Sequence, residues 1–477
     1  MIQDAFIHVF SCSTGYYLYD VNSDLILKIN EDTYNILKSD KQLEENEQIK
    51  KLKKAGYLKN KHVQITEHPM TPFLESFYKS KLNAMTLQVT QNCNLRCEYC
   101  VYSGKYTTRT HSNKRMSYEL ARKGIDFLLS HSTDSKELSL GFYGGEPLLE
   151  FELIKKCINY IEQQAPERKI RYLITTNATL LNATIAEYMV QHNFDVTISF
   201  DGPREVHDKY RRFASEDRGT YDIVMENANY IKDKYHEYFK TNVSFNTVLN
   251  PQNGYGCVSD YINGEDLFND VMFSAGIVND LGLREEPQDI SDKFKEEYRY
   301  EYFKLLLSKI GKIQDSKVSK IVQSDFARLL MMRGGRHRSG DNELPEKWHH
   351  GGPCIPGQRT LFLNVDGNFY PCEKVCEKAE KAIMGNVWDG IDVEKAVKIL
   401  NVEKLTETKC RHCWAYRYCN FCIRFAEPEQ GSLKENMLRQ CNEMRKIVEE
   451  TFKDYCVLRE LGYDFETQSI KKQGVDR

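Results

Sequence analysis

Six strand-like runs alternate with helix-like stretches between about residues 80 and 280, and this alternation is the strongest constraint on the fold. The runs are rich in β-branched and aromatic residues and lie at 86–89, 138–143, 172–176, 196–200, 243–249 and 271–274. Amphipathic stretches at 118–129, 153–160 and 183–189 separate several of them. Strands that alternate with helices favour a parallel sheet with helical crossovers. Because parallel barrels place their chemistry at the carboxyl ends of the strands, the loops after these runs are the candidate sites.

Three closely spaced cysteines follow the first run. Cys93, Cys97 and Cys100 form a Cx3CxxC pattern, and Tyr99 stands just before the last of them. Three thiolates can hold a [4Fe-4S] cluster and leave one iron for a small molecule, whereas four would saturate it. A zinc knuckle or a disulfide pair is the alternative, but structural zinc sites usually combine two CxxC pairs. The spacing therefore predicts an open iron-sulfur cluster.

The Cx3CxxC pattern resembles that of the radical S-adenosylmethionine (SAM) superfamily. The resemblance implies that the open iron binds the amino and carboxylate groups of SAM, that Tyr99 also binds this cofactor, and that the sheet is a partial (β/α)6 barrel. Gly144, Gly145, Glu146 and Pro147 follow the second run and resemble the GGEP motif of that family. There the backbone and the carboxylate receive the SAM ammonium, and glycine lets the backbone approach the ligand.

The loop after the fourth strand-like run also resembles a motif of this family. The segment from Ser199 to Arg211 resembles the SxDGxxxxHDxxR pattern of the same family. It implies that Ser199 faces the SAM carboxylate or ribose and that Arg211 is a further candidate for the carboxylate. Asp201 and Asp208 are equally consistent with turn or helix-cap residues. Ala178 stands where the family's TNGT loop has its glycine, which puts a tight backbone approach there in doubt.

A second group of cysteines lies near the carboxyl end and resembles the SPASM extension of peptide-modifying radical SAM enzymes, although Cys419 and Cys422 are one residue closer than in the family form. The resemblance implies two auxiliary [4Fe-4S] clusters. One would be held by Cys410, Cys413, Cys419 and Cys441, the other by Cys354, Cys372 and Cys422. Cys376 either closes the second cluster or leaves an iron open to a substrate thiolate. A pair of zinc sites is the alternative.

The amino-terminal residues 1–78 differ from both regions. Strand-like runs at 6–10, 16–19 and 25–29 precede helix-like stretches at 33–37 and 48–55. This order suits a winged-helix-like module, but residues 1–80 contain no arginine and ten lysines against eleven acidic residues, which argues against DNA binding. The region resembles the PqqD-like elements fused to peptide maturases. That resemblance implies that a leader peptide binds by strand addition.

Length and composition set the organisation. The 477 residues are 41% hydrophobic and 28% charged, enough for several buried cores. We predict a recognition element at 1–78 ending in a linker over 61–80, a barrel at 79–335 and a SPASM domain at 345–460. Fifteen cysteines without a secretory leader predict a cytoplasmic protein with reduced metal ligands. The net charge of -3 and the lack of a long apolar run give no reason to expect nucleic acid or a membrane as partner.

These patterns together predict an α/β radical SAM maturase of a ribosomal precursor peptide. It would use SAM, three [4Fe-4S] clusters and a low-potential electron donor such as ferredoxin or flavodoxin. In the family, SAM cleaves to a 5′-deoxyadenosyl radical that removes hydrogen from an unactivated carbon, which no side-chain acid or base can do. Thioether crosslinking from cysteine is the first expectation. The alternatives are carbon-carbon or carbon-oxygen crosslinking, formylglycine formation, a non-catalytic iron-sulfur carrier and a zinc-stabilised scaffold. No catalytic side chain is singled out.

Overall fold

The amino-terminal region is a three-stranded antiparallel sheet followed by two helices. A computed structural model describes residues 5–39, 46–278, 281–285, 289–333, 343–351, 354–426 and 433–470. The first elements are β1 (Ile7–Cys12), β2 (Gly15–Asp20), β3 (Leu25–Ile29), α1 (Glu31–Ser39) and α2 (Glu47–Lys54). The Asn30 carboxamide accepts the Thr33 N–H at 2.8 Å, and Asn46 caps α2 in the same way. The predicted order of three strands and two helices is confirmed.

Six parallel strands form the centre of the molecule in the order of the chain. After β4 (Ile65–Thr66) and α3 (Leu74–Ser80) they are β5 (Ala84–Thr90), β6 (Glu137–Gly144), β7 (Lys169–Thr176), β8 (Asp195–Ser199), β9 (Val243–Leu249) and β10 (Met272–Ile277). The helices between them are α4 (Tyr118–Ser130), α5 (Phe151–Gln164), α6 (Ala183–Gln191), α7 (Arg204–Tyr210), α8 (Tyr221–Lys234), α9 (His236–Asn242) and α10 (Tyr255–Gly264). All six predicted strands are present, and their order is consistent with a partial barrel.

The carboxyl-terminal region continues the same sheet. Its helices are α11 (Asp292–Lys309), α12 (Gln323–Arg333), α13 (Val393–Leu400), α14 (Glu407–Cys410), α15 (Leu433–Arg439) and α16 (Cys441–Glu460). Its strands are β11 (Lys347–Trp348), β12 (Leu361–Leu363), β13 (Asn368–Tyr370), β14 (Gly385–Asn386), β15 (Gly390–Ile391), β16 (Tyr463–Asp464) and β17 (Ser469–Ile470). β12 pairs in parallel with β5, and β13 to β15 follow antiparallel, so the sheet has ten strands. No described helix is both long enough and apolar enough to cross a bilayer.

The amino-terminal sheet packs directly on the cysteine-rich region. Tyr19 and Phe452 share one buried cluster, with ring centroids 4.7 Å apart, and His8 stacks on Trp414 at 3.7 Å. The predicted linker over 61–80 is itself ordered: β4 pairs with β11, and the Tyr78 hydroxyl at the end of α3 donates to the Pro356 carbonyl at 3.0 Å. The amino-terminal sheet therefore shares one buried cluster with the cysteine-rich region, while α1 and α2 pack on its other residues in a cluster of their own.

Candidate active site

Cys93, Cys97 and Cys100 lie together on the loop that leaves the carboxyl end of β5. Backbone N–H groups point at two of the sulfurs, Leu95 at Cys93 Sγ (3.3 Å) and Tyr102 at Cys100 Sγ (3.5 Å). Burial raises the pKa of Cys93 to about 12 and that of Cys97 to about 11, and the neighbouring thiols add to both effects. Thiols packed this closely become ionised when a bound cation compensates their charge.

Two glycines let the β6 loop touch this cysteine loop. Gly145 N–H donates to the Thr90 carbonyl (3.0 Å) and Glu146 N–H to the Asn92 carbonyl (2.9 Å). A Cβ at Gly144 would collide with the Thr90 carbonyl, and one at Gly145 with the Asn92 carbonyl. Gly144 also has a φ of +148°, which favours glycine. The glycines are thus required by the approach of one loop to the other, a reason the sequence alone did not give.

The Glu146 carboxylate is fully buried and already makes three hydrogen bonds. It accepts from Leu148 N (3.0 Å), Thr176 Oγ1 (2.7 Å) and Asn177 N (2.7 Å). Burial raises its pKa, and these donors oppose that rise. The carboxylate therefore joins the β6 loop to the β7 loop, and its predicted contact with the SAM ammonium stays a prediction.

The β7 loop also contacts the cysteine loop. Asn177 Nδ2 lies 3.8 Å from Cys93 Sγ and donates to Asn94 Oδ1 at 2.9 Å. Ala178, which replaces the expected glycine, is buried with a φ of +60°. The backbone thus keeps the left-handed conformation that glycine usually supplies, at a cost of roughly 1 kcal/mol or more. The left-handed turn thus forms with alanine at this position, and the tight backbone approach that the substitution put in doubt is not tested by it.

Tyr99, Asp201 and Arg211 form a buried polar network beside the cysteines. The Tyr99 hydroxyl donates to Asp201 Oδ2 and accepts from Arg211 Nη1 (2.8 Å). Arg211 is 6% exposed, and its Nε has no hydrogen-bond partner among the described residues. Its positive charge lowers the pKa of Cys97, against the effect of burial. Ser199 is half-buried at the end of β8, at the same edge of the sheet.

Asp201 and Asp208, whose roles the sequence did not decide, have different surroundings. Asp201 is buried, and its Oδ1 accepts Val248 N at 3.0 Å in addition to the Tyr99 bond. Asp208 accepts the N–H groups of Thr220 (2.7 Å) and Tyr221 (2.8 Å) at the start of α8. Asp208 is therefore a helix cap, whereas Asp201 belongs to the network with Arg211.

Four carboxyl-terminal cysteines line one cavity of about 240 Å³, together with His350 and Tyr416: Cys410, Cys413, Cys419 and Cys441. Burial raises the pKa of Cys410 to about 12, and charges on Glu403, Cys413 and Cys441 raise it further. These are the four residues that the sequence assigned to one auxiliary cluster.

The second carboxyl-terminal group is looser. Burial raises the pKa of Cys372 to about 11, and Glu373 and Cys422 add to that rise. Burial raises the pKa of Cys422 as well, and Cys354 contributes. Cys376 is buried, and its Sγ faces the Thr108 carbonyl at 3.7 Å. The structure therefore brings Cys354, Cys372 and Cys422 near one another, with the Cys376 thiol directed to a different loop.

Among the described residues, no three cysteine sulfurs all lie within 4.8 Å of one another. A zinc ion with Zn–S bonds of about 2.3 Å would hold its sulfurs within about 4 Å. The described sulfurs therefore do not form the close group that a bound zinc ion requires.

A buried network that the sequence did not indicate connects the two cysteine regions. Arg109 forms an ion pair with Glu377 (Nε to Oε1, 2.8 Å) and donates to the Val375 carbonyl (3.0 Å). Gln88 Nε2 donates to the same Glu377 carboxylate and to the Tyr102 hydroxyl, each at 2.8 Å. Gln88 lies on β5, Arg109 follows the first cysteine loop, and Glu377 follows Cys376. The network therefore fixes these two loops relative to each other.

A cavity of about 320 Å³ lies against the central sheet. Its polar lining includes Thr86, Tyr143, Arg359 and Glu373. Strands β5, β6, β7 and β8 supply most of its lining residues. A cavity of this size can admit a side chain of a larger substrate.

Comparison with known proteins identifies the class of the central domain. Residues 87–254 match the family described as the Radical SAM superfamily, so the chain contains a radical SAM domain. The fold agrees: the solved structure of native anSMEcpe with bound AdoMet superposes with a TM-score of 0.57 at 20% identity, over 79% of this chain and 99% of that one.

Two of the curated relatives with assigned activities illustrate the similarity. The chain is 26% identical over 377 residues to the radical SAM cyclopropyl synthase TigE of Paramaledivibacter caminithermalis, which covers 74% of this chain and 70% of that protein. It is 34% identical over 163 residues to the serine-type anaerobic sulfatase-maturating enzyme of Bacteroides thetaiotaomicron, over 34% of this chain and 38% of that protein. Several relatives are matched over less than half of their own length.

Proposed function

We propose that this protein is a radical SAM maturase that modifies a ribosomal precursor peptide. The observation that carries the proposal is the grouping of Cys93, Cys97 and Cys100 at the carboxyl end of β5. There they adjoin the Gly144–Gly145 turn and the network around Arg211. The radical SAM domain at residues 87–254 supports the same chemistry.

The chain's own residues would position the cofactor. A [4Fe-4S] cluster with SAM, when bound at the three cysteines, supplies a radical able to remove hydrogen from carbon. Arg211 has a buried guanidinium whose Nε lacks a described partner, which suits the SAM carboxylate. Tyr99 and Asp201 hold that guanidinium in place. Gly144, Gly145, Glu146 and Ser199 are at the same edge and complete the proposed SAM site.

Two auxiliary clusters would complete the electron path. We assign one to the cysteines of the 240 Å³ cavity, Cys410, Cys413, Cys419 and Cys441. We assign the other to Cys354, Cys372 and Cys422, with Cys376 as a fourth ligand only if its thiol turns away from Thr108. The Arg109–Glu377 network would keep the loops of the first and second clusters at a fixed separation. A ferredoxin or flavodoxin would supply electrons.

The leader of the peptide would bind to the amino-terminal sheet. Within the described residues, β1 and β3 each pair only with β2, so each has one edge that can accept another strand. The residue to be modified would enter the 320 Å³ cavity against the central sheet. TigE, whose alignment covers most of this chain, makes a carbon-carbon product the second candidate after a thioether. The match to the sulfatase-maturating enzyme makes formylglycine formation the third.

Reductive SAM cleavage tests the proposal. The full chain, purified and reconstituted without oxygen, is expected to contain about twelve irons and to release methionine and 5′-deoxyadenosine after reduction. Replacing Cys97 by alanine should abolish the cleavage, whereas Cys257→Ala, at an exposed cysteine outside the three groups, should leave it unchanged. A protein that contains iron but does not cleave SAM would be an electron carrier. A protein that contains zinc and no iron would be a binding scaffold.

The product identifies the bond. A precursor peptide encoded beside the gene is co-expressed with the enzyme, and the peptide is analysed by mass spectrometry after thiol alkylation. A thioether removes two hydrogens and one alkylatable cysteine per crosslink. A carbon-carbon bond removes two hydrogens and leaves every cysteine alkylatable. Formylglycine made from cysteine replaces sulfur by oxygen, removes two hydrogens and leaves one alkylatable cysteine fewer.

A further inference from the structure

Three buried residues outside the cysteine groups bring two imidazoles and a carboxylate together. His349 and His350 follow β11, and Glu403 lies just after α13. Their exposures are 1%, 3% and 0%. One donor atom of each residue lies within 4.8 Å of the donors of the other two, and His349 Nδ1 is 3.8 Å from Glu403 Oε2. Two ligands on one zinc ion, each at about 2.0–2.2 Å, are separated by up to about 4 Å, so this spacing suits a single ion.

A backbone carbonyl orients the His350 ring. His350 Nδ1 lies 2.9 Å from the Cys419 carbonyl. A ring whose Nδ1–H donates to a carbonyl leaves its Nε2 lone pair for a metal, which is a common arrangement in metal sites. His349 would bind through Nδ1, the atom that lies 3.8 Å from Glu403 Oε2, and its contacts with the His350 carbonyl (3.4 Å) and with Glu403 N at Nε2 (3.3 Å) are both long.

The carboxylate is fixed, and within the described chain no lysine or arginine forms an ion pair with it. Glu403 Oε2 accepts His350 N at 2.7 Å. Its Oε1 makes no hydrogen bond of normal geometry to a described residue, and the nearby Tyr416 hydroxyl donates to the Trp348 carbonyl (3.3 Å). Burial lowers the pKa of His350 to about 4, which favours the neutral imidazole. Burial also disfavours the charged form of Glu403 and raises its pKa to about 7, and a divalent ion bound beside the carboxylate would compensate that charge.

We infer that His349, His350 and Glu403 bind one divalent transition-metal ion. Two imidazoles with one carboxylate favour zinc or ferrous iron over magnesium or calcium, and the closed surroundings favour a structural zinc. The ion would join the His349–His350 segment to the turn that carries Glu403, and the His350 ring also contacts the Cys419 carbonyl. The inference does not depend on the proposed function.

Cobalt titration of the iron-loaded chain tests the site, because the cluster cysteines are then occupied. After chelation of adventitious metal, the wild-type protein is expected to bind one Co²⁺ with visible d–d bands and no sulfur-to-cobalt bands in the near ultraviolet. Zn²⁺ should displace it and raise the melting temperature. No uptake, or uptake with sulfur bands, would overturn the inference.

Matched variants localise the ion. Glu403→Gln and His350→Gln should weaken Co²⁺ binding at least about tenfold, whereas His412→Gln, at an exposed histidine nearby, should not. Iron content shows whether each variant is folded. Binding that is equally tight in Glu403→Gln and wild type would place the ion elsewhere and contradict the assignment, and a failure of Glu403→Gln to fold would leave the wild-type titration to decide.

Discussion

At the scale of single residues, Gly145 is a position that leaves no room for a side chain. Its Cα faces the Asn92 carbonyl one residue before Cys93, so a methyl group would push the cysteine loop away from β6. We expect Gly145→Ala to destabilise the fold by roughly 1–3 kcal/mol and to lower iron loading at the first cluster. Thermal unfolding and iron analysis measure both effects.

The control for this substitution is Gly276→Ala. Gly276 is an exposed glycine in β10, and a Cβ added there would meet no heavy atom within 4 Å, so alanine should be accepted without loss of iron. Equal behaviour of the two variants would show that the approach of the β6 loop does not position Cys93.

The proposed metal ligands were visible in the sequence, whereas the residues that contact and orient their loops were not. Cys93, Cys97 and Cys100 are local in the chain, so their spacing alone suggested a ligand set. Asn177 and Arg109 act on the cysteine regions through contacts with Cys93 and Glu377, which lie 84 and 268 positions away. No short pattern records such pairs, because the fold alone brings them together.

At the scale of elements, helix α8 shows that Asp208, a residue of the predicted SxDGxxxxHDxxR motif, can act as a helix cap. Asp208 accepts two N–H groups at the start of this helix, Thr220 and Tyr221. We expect Asp208→Ala to lower the free energy of unfolding by about 1–2 kcal/mol, because both donors lose their partner. SAM cleavage per bound iron should not change. Chemical denaturation and the cleavage assay measure the two quantities.

Asp222→Ala is the comparison within the same helix. Asp222 is exposed and pairs with exposed Arg204, and such a pair contributes less than about 1 kcal/mol. If Asp208→Ala instead abolishes cleavage while the protein keeps its stability, Asp208 belongs to the reaction and not to the cap.

Strands β5 to β10 could be predicted from the sequence, whereas β12 could not. The runs that became β5 to β10 are long enough for their apolar residues to show in the sequence, since both faces of a parallel sheet are buried. β12 has three residues, Leu361–Leu363, and pairs with β5 across more than 270 positions. Its partner is set by tertiary packing, so the extension of the sheet into the cysteine-rich region could not be read locally.

At the scale of the whole molecule, the amino-terminal sheet is attached through Arg417. This residue lies between Cys413 and Cys419, and its guanidinium donates to the carbonyls of Val21 (2.7 Å) and Asn22 (2.9 Å). The sequence predicts a recognition element at 1–78 with a linker over 61–80. In the structure, aromatic rings of this region and of the cysteine-rich region share one buried cluster, including Tyr19, Tyr418 and Phe452.

This attachment predicts that the amino-terminal sheet and the adjacent cysteine group lose order together. Arg417→Ala removes two charge-assisted hydrogen bonds, each worth about 1.5–3 kcal/mol at most, so we expect a lower melting temperature and faster proteolytic release of an amino-terminal fragment. Iron held by Cys410, Cys413, Cys419 and Cys441 should fall in parallel, since Arg417 lies in the same loop. Lys28→Ala removes an exposed pair with Glu460 at the rim of the same interface and should change neither quantity. Release of the fragment with iron retained would show that the two regions fold independently, because the shared core would then not be needed to hold the cysteine loop.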